Sequence, residues 1–316
     1  MKGRDNTVEQ FYLAHASTLG LKLMAGATGL KRAILEPTVN RPGLALAGFT
    51  QYFASKRIQA IGSAEVTYLR TLKRPLRIAR YTALCEHPVP CFVFSRNLKP
   101  DRDFLRAAEV ADIPVFRCPL TTMKFISRAT LALEDLFAPR STVHGSMVDI
   151  LGIGVIIQGE SGIGKSECVL SLLERGYSLV ADDVTRLRLL DGREVMGTGA
   201  DITRNHMEVR GLGIIDVGAM FGVKSIRTEK RVDLLITLRD WNKVGDIERV
   251  GLEDEKVKLL GIEITHVTIP VRPGRDLACL VEVAALNTKL RQAGHNAAAE
   301  LNRRLLERMN QGKTLT

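Results

Sequence analysis

The sequence predicts an α/β protein of two domains: a small α/β domain at residues 1–139, and a second at residues 140–316 that carries a phosphate-binding loop. The first observation is length, because 316 residues exceed one ordinary compact core. The second is the alternation of short apolar strand-like runs with helical patterns in both halves. The third is a glycine-rich motif at residues 159–166, which lies between a strand-like run and a helical one.

The motif at residues 159–166 reads Gly-Glu-Ser-Gly-Ile-Gly-Lys-Ser and fits the pattern G-x-x-x-x-G-K-[ST]. Its glycines let backbone N–H groups surround a polyphosphate, Lys165 can reach the β- and γ-phosphates, and the Ser166 hydroxyl can bind Mg²⁺. A fortuitous glycine-rich turn is the alternative, but the β-branched run at 154–158 and the helical spacing at 167–174 favour a nucleotide site. The predicted nucleotide-binding residues are Gly159, Glu160, Ser161, Gly162, Ile163, Gly164, Lys165 and Ser166.

Composition is typical of a soluble globular protein, and the cytoplasm is the expected location. No run approaches the roughly 18 apolar residues of a membrane span, and the N-terminal residues do not resemble a signal peptide. The cysteines are odd in number and lack C-x-x-C spacing, which argues against a disulfide framework or a zinc site and predicts free thiols. They are Cys85, Cys91, Cys118, Cys168 and Cys279.

The net charge of +10 is concentrated in the first domain. Residues 1–139 carry 20 Lys+Arg against 11 Asp+Glu, whereas residues 140–316 carry 25 against 24. The basic excess therefore does not serve the nucleotide. A solvated surface, an acidic protein partner and nucleic acid all remain open. Nucleic acid is the weakest of these because aromatic residues are only 5% of the chain and form no basic-aromatic ribbon.

In the first half, residues 91–94 and 113–116 have the pattern of short buried strands. Between them, Asp101 can cap a helix that continues to Val110. Thr121 or Thr122 can cap a further helix through Leu136. Ala138, Pro139 and Arg140 then break that helix.

The second half begins with an alternating stretch at 141–149, which predicts one strand, followed by the strand, loop and helix of the phosphate site. Residues 177–181 predict a strand that ends at an aspartate pair. A hairpin is expected at 186–196, because Asp191 and Gly192 form a turn signal between two apolar runs. The remaining predicted elements are strands at 234–238 and 265–269 and one or two helices at 280–309.

Asp182 and Asp183 are the first candidates for chemistry beyond nucleotide binding. Adjacent residues at a strand end point to opposite faces, so one carboxylate can approach Mg²⁺ or an acceptor while the other serves the scaffold. A turn or a helix cap is the alternative. The phosphate loop one helix upstream favours the functional interpretation, since strand ends in such sheets converge on the ligand crevice.

Four further features gain meaning only in combination. His144 precedes a glycine, and a lone histidine is more often structural than catalytic. The segment at 207–216 mixes charges and glycines with sheet-type apolar residues, which is unusual for a plain strand. The loop at 270–275 contains two prolines and fixes the guanidinium groups of Arg272 and Arg275 on a stiff backbone, an arrangement suited to holding phosphate oxygens. Arg249 lies in a charged stretch and by itself would be assigned to solvated surface.

Taken together, these segments resemble one family closely, the bacterial bifunctional HPr kinase/phosphorylases. The resemblance covers nearly the whole chain, although residues 197–206 depart from the usual family pattern. It is carried by residues 41–47, 143–145, 159–167, 179–183, 207–216, 270–277 and 282–285.

The resemblance implies a catalytic domain with a mixed sheet like that of phosphoenolpyruvate carboxykinases. It implies phosphorylation of a serine on the phosphocarrier protein HPr with ATP, or also with pyrophosphate, and Mg²⁺. It further implies the reverse reaction with inorganic phosphate, which yields pyrophosphate, a role in regulating carbon metabolism, and a homohexamer assembled through the catalytic domains.

Residue roles also follow from the resemblance. Asp183 would accept the serine proton and return it in the reverse direction, Lys165 would hold the phosphates, and Ser166 and Glu208 would bind Mg²⁺. His144 and Arg249 would complete the catalytic set. The catalytic segment comprises Met207, Glu208, Val209, Arg210, Gly211, Leu212, Gly213, Ile214, Ile215 and Asp216. The loop tied to dephosphorylation comprises Pro270, Val271, Arg272, Pro273, Gly274 and Arg275.

Two alternatives of other classes remain. One is a small-molecule kinase of the related carboxykinase type, in which the acceptor would fit a pocket without a partner protein. The other is a nucleotide-dependent regulatory switch, in which the basic first domain would bind a partner.

Overall fold

A computed structural model describes residues 6–243 and 255–313, and the chain divides into two compact units at residues 138 and 139. The predicted site residue Arg249 lies outside the described residues.

The first unit is a five-stranded sheet with helices on both faces. The strand order is β1-β5-β4-β3-β2, in which β2 to β5 are parallel and β1 is antiparallel to β5. A short 3₁₀ helix at Ala27–Lys31 follows β1. The elements are α1 Val8–Leu19, β1 Lys22–Ala25, β2 Val39–Asn40, α2 Gly43–Ala47, β3 Ile58–Ile61, α3 Ser63–Thr71, α4 Arg74–Cys85, β4 Phe92–Phe94, α5 Arg102–Val110, β5 Val115–Arg117 and α6 Thr122–Phe137.

The central strands of this sheet are buried on both faces, which explains their uninterrupted apolar sequence. Phe92 and Phe94 pack into one core cluster, whereas Val93 packs into the other. The predicted caps are confirmed. Asp101 accepts a hydrogen bond from the backbone nitrogen of Asp103 (3.0 Å), and Thr121 caps α6 by accepting from Lys124 (3.4 Å).

The second unit contains a six-stranded mixed sheet in the order β16-β17-β15-β8-β7-β9 and a four-stranded sheet in the order β14-β11-β10-β6. A separate hairpin is formed by β12 and β13. The elements are β6 Arg140–His144, β7 Ser146–Ile150, β8 Ile153–Gly159, α7 Lys165–Glu174, β9 Ser178–Ala181, β10 Val184–Leu190, β11 Glu194–Thr198, β12 His206–Val209, β13 Gly213–Asp216, α8 Val217–Phe221, β14 Glu229–Arg231, β15 Leu234–Asp240, β16 Glu255–Leu259, β17 Ile262–Val271, α9 Leu277–Gln292 and α10 Ala297–Lys313. Short 3₁₀ helices lie at Asp201–Thr203, Val223–Ser225 and Trp241–Lys243.

The strand directions in the larger sheet determine where the site can form. β7 lies between β8 and β9 and is antiparallel to both, so β8 and β9 run in the same direction. Their carboxyl ends, Gly159 and Ala181, therefore lie at the same edge as the beginning of β7. Ligands of open α/β sheets bind at such an edge.

β8 is buried on both faces. Val155 and Ile157 pack into the cluster formed with α7 and α9, whereas Ile156 faces the cluster shared with the four-stranded sheet. Because both faces are covered, the strand reads as a continuous apolar run rather than an alternating one. The predicted α/β class, with a mixed sheet in the second half, is confirmed.

The prediction of a single strand at 141–149 is wrong. β6 pairs with β10 in the four-stranded sheet, while β7 belongs to the six-stranded sheet, and the chain changes sheets at Gly145. A Cβ atom at Gly145 would lie 2.8 Å from the carbonyl oxygen of Ile157, so the crossing requires glycine. Because β6 and β7 are both extended, the alternation of apolar and polar residues does not show where the chain passes from one sheet to the other.

Among the described helices, none is long and apolar enough to span a bilayer. All five cysteines are free thiols, as predicted, and every one except Cys279 is buried.

Candidate active site

The phosphate loop connects β8 to α7 and depends on two glycines in left-handed conformations. Gly162 has φ +84° and Gly164, the N-cap of α7, has φ +102°. Side chains other than glycine are strained at these angles. The loop delivers the free N–H groups of the first turn of α7 to one place, where a helix N-terminus favours anions.

The loop forms one wall of a cavity of about 130 Å³. The opposite wall comes from the end of β9 and from the β12–β13 hairpin. The lining residues are Ser161, Gly162, Gly164, Lys165, Ser166, Glu167, Asp183, Glu208 and Arg210. The structure thus brings together the glycine-rich loop, Asp183 and Glu208, which the sequence separates.

Lys165 lies against the loop. Its Nζ atom donates a hydrogen bond to the carbonyl oxygen of Gly159 (3.2 Å), and its side chain is partly buried. Glu160, at the outer side of the loop, is paired with Lys243 at 2.8 Å. Lys165 is therefore the cation that the loop side contributes to the cavity wall, whereas Lys243 is paired outside it.

Asp182 and Asp183 have different surroundings, as expected of neighbours at a strand end. Asp183 is exposed, lines the cavity and has a left-handed backbone with φ +56°. The Asp182 carboxylate instead accepts hydrogen bonds from the Ser146 hydroxyl (2.8 Å) and from the backbone nitrogen of Glu208 (3.1 Å). Burial raises the pKa of Asp182, and both hydrogen bonds oppose this rise because they stabilise its charged form.

The segment at 207–216 is a hairpin, which explains its mixed composition. Met207 and Val209 are buried in the core beside α7, while Glu208 and Arg210 project into the cavity. Arg210 also donates to the Ser161 hydroxyl (2.6 Å) and so connects the hairpin to the phosphate loop. The turn and second strand comprise Gly211, Leu212, Gly213, Ile214, Ile215 and Asp216.

Three other predicted residues do not line this cavity. His144 is exposed at the end of β6, paired in register with Val184. The Arg272 guanidinium lies over the ring of Trp241, 3.1 Å from its centroid. Arg275 donates to the carbonyl oxygen of Pro270 (3.3 Å).

The cavity residues are chemically suited to Mg²⁺ and phosphate. Ser166 and Glu208 offer hard oxygen atoms, and Lys165 offers a positive charge. Within residues 6–243 and 255–313 no group of three or more His, Cys, Asp or Glu side chains could hold a metal alone. Mg²⁺ commonly uses one or two protein oxygens together with substrate phosphates.

The sequence-based site omitted Ser146 and gave Glu167 no function. Glu167 lies in the first turn of α7 and lines the cavity. Ser146 is buried and touches both aspartates of the pair. No local signal identified Ser146, because its importance depends on the meeting of β7 and β9.

Comparison with known proteins assigns both units. Residues 7–133 match the family profile described as the HPr Serine kinase N terminus, and residues 135–305 match the HPr Serine kinase C-terminal domain. A curated HPr kinase/phosphorylase from Geobacter sulfurreducens is 42% identical over 292 residues, which cover 92% of this chain and 91% of the relative. The chain belongs to the HPr kinase/phosphorylase family.

A second curated relative gives the same result. The HPr kinase/phosphorylase of Caldanaerobacter subterraneus is 42% identical over 291 residues, covering 92% of this chain and 95% of that protein. A solved structure, the Hpr(Ser) kinase/phosphatase of Coxiella burnetii, is 31% identical with a TM-score of 0.47 and covers 51% of this chain and 98% of its own. The two family profiles and the curated relatives confirm the resemblance to the HPr kinase/phosphorylases.

Proposed function

We propose that this protein transfers a phosphoryl group from ATP to a serine of HPr and reverses the transfer with inorganic phosphate, releasing pyrophosphate. The observation that carries the proposal is the cavity that joins Lys165 and Ser166 to Asp183 and Glu208, in a chain of the HPr kinase/phosphorylase family. The relatives are named HPr kinase/phosphorylase, a name that gives the protein acceptor, the phosphorylation reaction and its reversal.

In the forward direction the site has to activate a serine hydroxyl, which is a poor nucleophile at neutral pH. Asp183 is exposed at the cavity wall, where its carboxylate can accept the hydroxyl proton as the oxygen attacks. Lys165 and the N–H groups at the start of α7 stabilise the charge that spreads over the transferred phosphoryl oxygens.

Ser166 and Glu208 would hold Mg²⁺, since both line the cavity and carry hard oxygen ligands. When bound there, Mg²⁺ supplies positive charge to the phosphate oxygens and fixes their orientation. Arg210, also in the cavity wall, adds a fixed guanidinium on the hairpin side.

In the reverse direction an oxygen of inorganic phosphate attacks the phosphorus of phosphoserine. The bond from phosphorus to the serine oxygen breaks, the serine oxygen takes a proton from Asp183, and pyrophosphate leaves. This direction needs a second anion-binding group, and Arg272 and Arg275 are the candidates because they share one short exposed loop after β17. By microscopic reversibility pyrophosphate can then act as a donor in place of ATP.

We further propose a cytoplasmic homohexamer assembled through the second units. Family membership supports both statements, together with the globular composition of the chain.

The test uses purified HPr, the full-length protein, MgCl₂ and ATP. Mass spectrometry should find one phosphoryl group on an HPr serine. After removal of ATP, added inorganic phosphate should remove that group and release pyrophosphate. Phosphorylation of a metabolite mixture with unmodified HPr would instead support a small-molecule kinase, and slow ATP hydrolysis without transfer would support a regulatory switch.

A further inference from the structure

Ser146 is the first residue of β7, immediately after the glycine at which the chain changes sheets. Its side chain is buried, with 1% of the residue exposed. The hydroxyl donates to Oδ1 of Asp182 (2.8 Å), and its oxygen accepts from the backbone nitrogen of Asp183 (3.3 Å). One hydroxyl therefore contacts both members of the aspartate pair.

The backbone of Asp183 requires such support. Its φ of +56° is uncommon for a residue with a side chain, and such conformations persist where the surroundings hold them. The nitrogen of Asp183 is bound by Ser146, and its carbonyl oxygen accepts from the nitrogen of Gly145 (2.8 Å). Two adjacent residues of the chain thus fix both peptide groups of Asp183.

Asp182 extends this connection to the hairpin. While Oδ1 accepts from Ser146, Oδ2 accepts from the backbone nitrogen of Glu208 (3.1 Å). The chain of contacts runs from β7 through the end of β9 to β12. It sets the position of Glu208 relative to Asp183 across the cavity that both line.

We propose that Ser146 is a positioning residue for phosphoryl transfer, orienting Asp183 directly and Glu208 through Asp182. The inference rests on the proposed function, because it assigns Asp183 and Glu208 to the transfer step. Among the described residues, the hydrogen bonds of the Ser146 hydroxyl go to Asp182 and Asp183 and not to the loop at 159–166, so Ser146 is given no chemical step of its own.

Ser146→Ala removes the hydroxyl that contacts both aspartates. The Asp182 carboxylate then loses one of its hydrogen-bond donors, and the Asp183 nitrogen loses its acceptor. Small displacements of reacting groups are costly, so kcat for HPr phosphorylation should fall about ten- to a hundredfold. KM for ATP should change less than about twofold, because the phosphate loop is built from β8 and α7 and makes no hydrogen bond to Ser146.

Ser178→Ala is the matched control. Ser178 is a buried serine on the adjacent strand β9, 9% exposed, and its hydroxyl donates to the carbonyl oxygen of Lys224 at 2.8 Å. Both variants lose one buried hydroxyl and should lose similar thermal stability. A purely structural Ser146 would make the two kinetically alike, whereas a positioning Ser146 lowers kcat only in its own variant.

Ser146→Cys covers the case in which Ser146→Ala does not fold. The thiol fills the same space but is a weak hydrogen-bond donor, so folding should survive and kcat should fall nearly as far as with alanine. Wild-type kcat, within twofold, in either folded Ser146 variant would overturn the inference. If the wild-type protein itself transfers nothing to HPr, the proposed function fails before the variants are compared.

Discussion

The Oδ2 atom of Asp182 lies 3.1 Å from the backbone nitrogen of Glu208. This contact joins the end of β9, the edge strand of the six-stranded sheet, to a hairpin that otherwise stands as a separate two-stranded sheet. The two adjacent aspartates therefore differ in their contacts. The Asp182 carboxylate connects β7 and the β12–β13 hairpin to the end of β9, whereas Asp183 lines the cavity.

Asp183→Asn should reduce phosphorylation of HPr by about 10²- to 10⁴-fold, the contribution typical of a positioned general base. Asparagine keeps the size of the side chain but cannot accept the serine proton. ATP binding, measured by calorimetry, should stay within about twofold of wild type, since Lys165 and the loop are untouched.

Asp191→Asn is the matched control for Asp183. Asp191 is an exposed aspartate with the same left-handed backbone, φ +50°, in the turn between β10 and β11. The Asp191→Asn variant should phosphorylate HPr at the wild-type rate. Full activity of Asp183→Asn would remove Asp183 from the reaction.

Arg272→Ala should slow phosphorolysis about tenfold while phosphorylation changes less than about twofold, because a charge-assisted phosphate contact is lost only where inorganic phosphate must bind. The rates are measured as pyrophosphate release and as phosphoserine formation. Arg193→Ala, at an exposed arginine in the β10–β11 turn, is the control. Equal losses in the two directions would contradict the assignment.

The stacking of Arg272 on Trp241 gives that prediction a second measurement. Trp241 is the chain's one tryptophan, so intrinsic tryptophan fluorescence comes from the ring that Arg272 covers. Arg272→Ala should change the emission of the folded protein. Inorganic phosphate should perturb the emission of wild type more than that of the variant.

Gly164→Ala should weaken ATP binding. A side chain at φ +102° strains the turn by about 1–2 kcal/mol, and that turn aims the first N–H groups of α7 at the phosphates. Gly192→Ala, at φ +67° in the β10–β11 turn with open space around the new Cβ, should lose comparable thermal stability and keep ATP affinity. Equal ATP affinity in the two variants would show that the glycine is there only for folding.

Arg175→Ala should lower thermal stability at pH 7, and the difference from wild type should narrow as the pH falls. The hydroxyl of Tyr177 and the guanidinium of Arg175 lower the pKa of Glu282, and the Cys279 nitrogen together with Arg175 lowers that of Asp276. A carboxylate with a depressed folded pKa stabilises above its unfolded value, near pH 4, and loses that contribution as the pH falls through its folded value.

The measurement for Arg175 is the unfolding midpoint from pH 7 to pH 3, with Arg193→Ala as control. A gap between wild type and Arg175→Ala that stays constant over this range would show that the ion pairs with Asp276 and Glu282, at 2.6 and 2.7 Å, do not contribute.

Local patterns predicted the phosphate loop, the helix capped by Asp101 and the hairpin around Asp191, because each depends on residues close together in the chain. The same patterns failed at residues 141–149, where one extended run is divided between two sheets at Gly145. They also had no means of finding Ser146, whose contacts to Asp182 and Asp183 cross 36 and 37 positions of sequence. Such contacts depend on how strands far apart in the sequence pack together. A pattern read over a few neighbouring residues holds no information about that packing.

Because four of the five cysteines are buried, the rate at which a reagent alkylates their thiols measures how often the fold opens. The thiolate is the reactive form, and burial raises the pKa of Cys85 and of Cys168 to about 12. In the native protein an alkylating reagent should therefore modify Cys279 first. Later labels at Cys85, Cys91 or Cys118 would time the opening of the first unit, and a label at Cys168 would time that of the second.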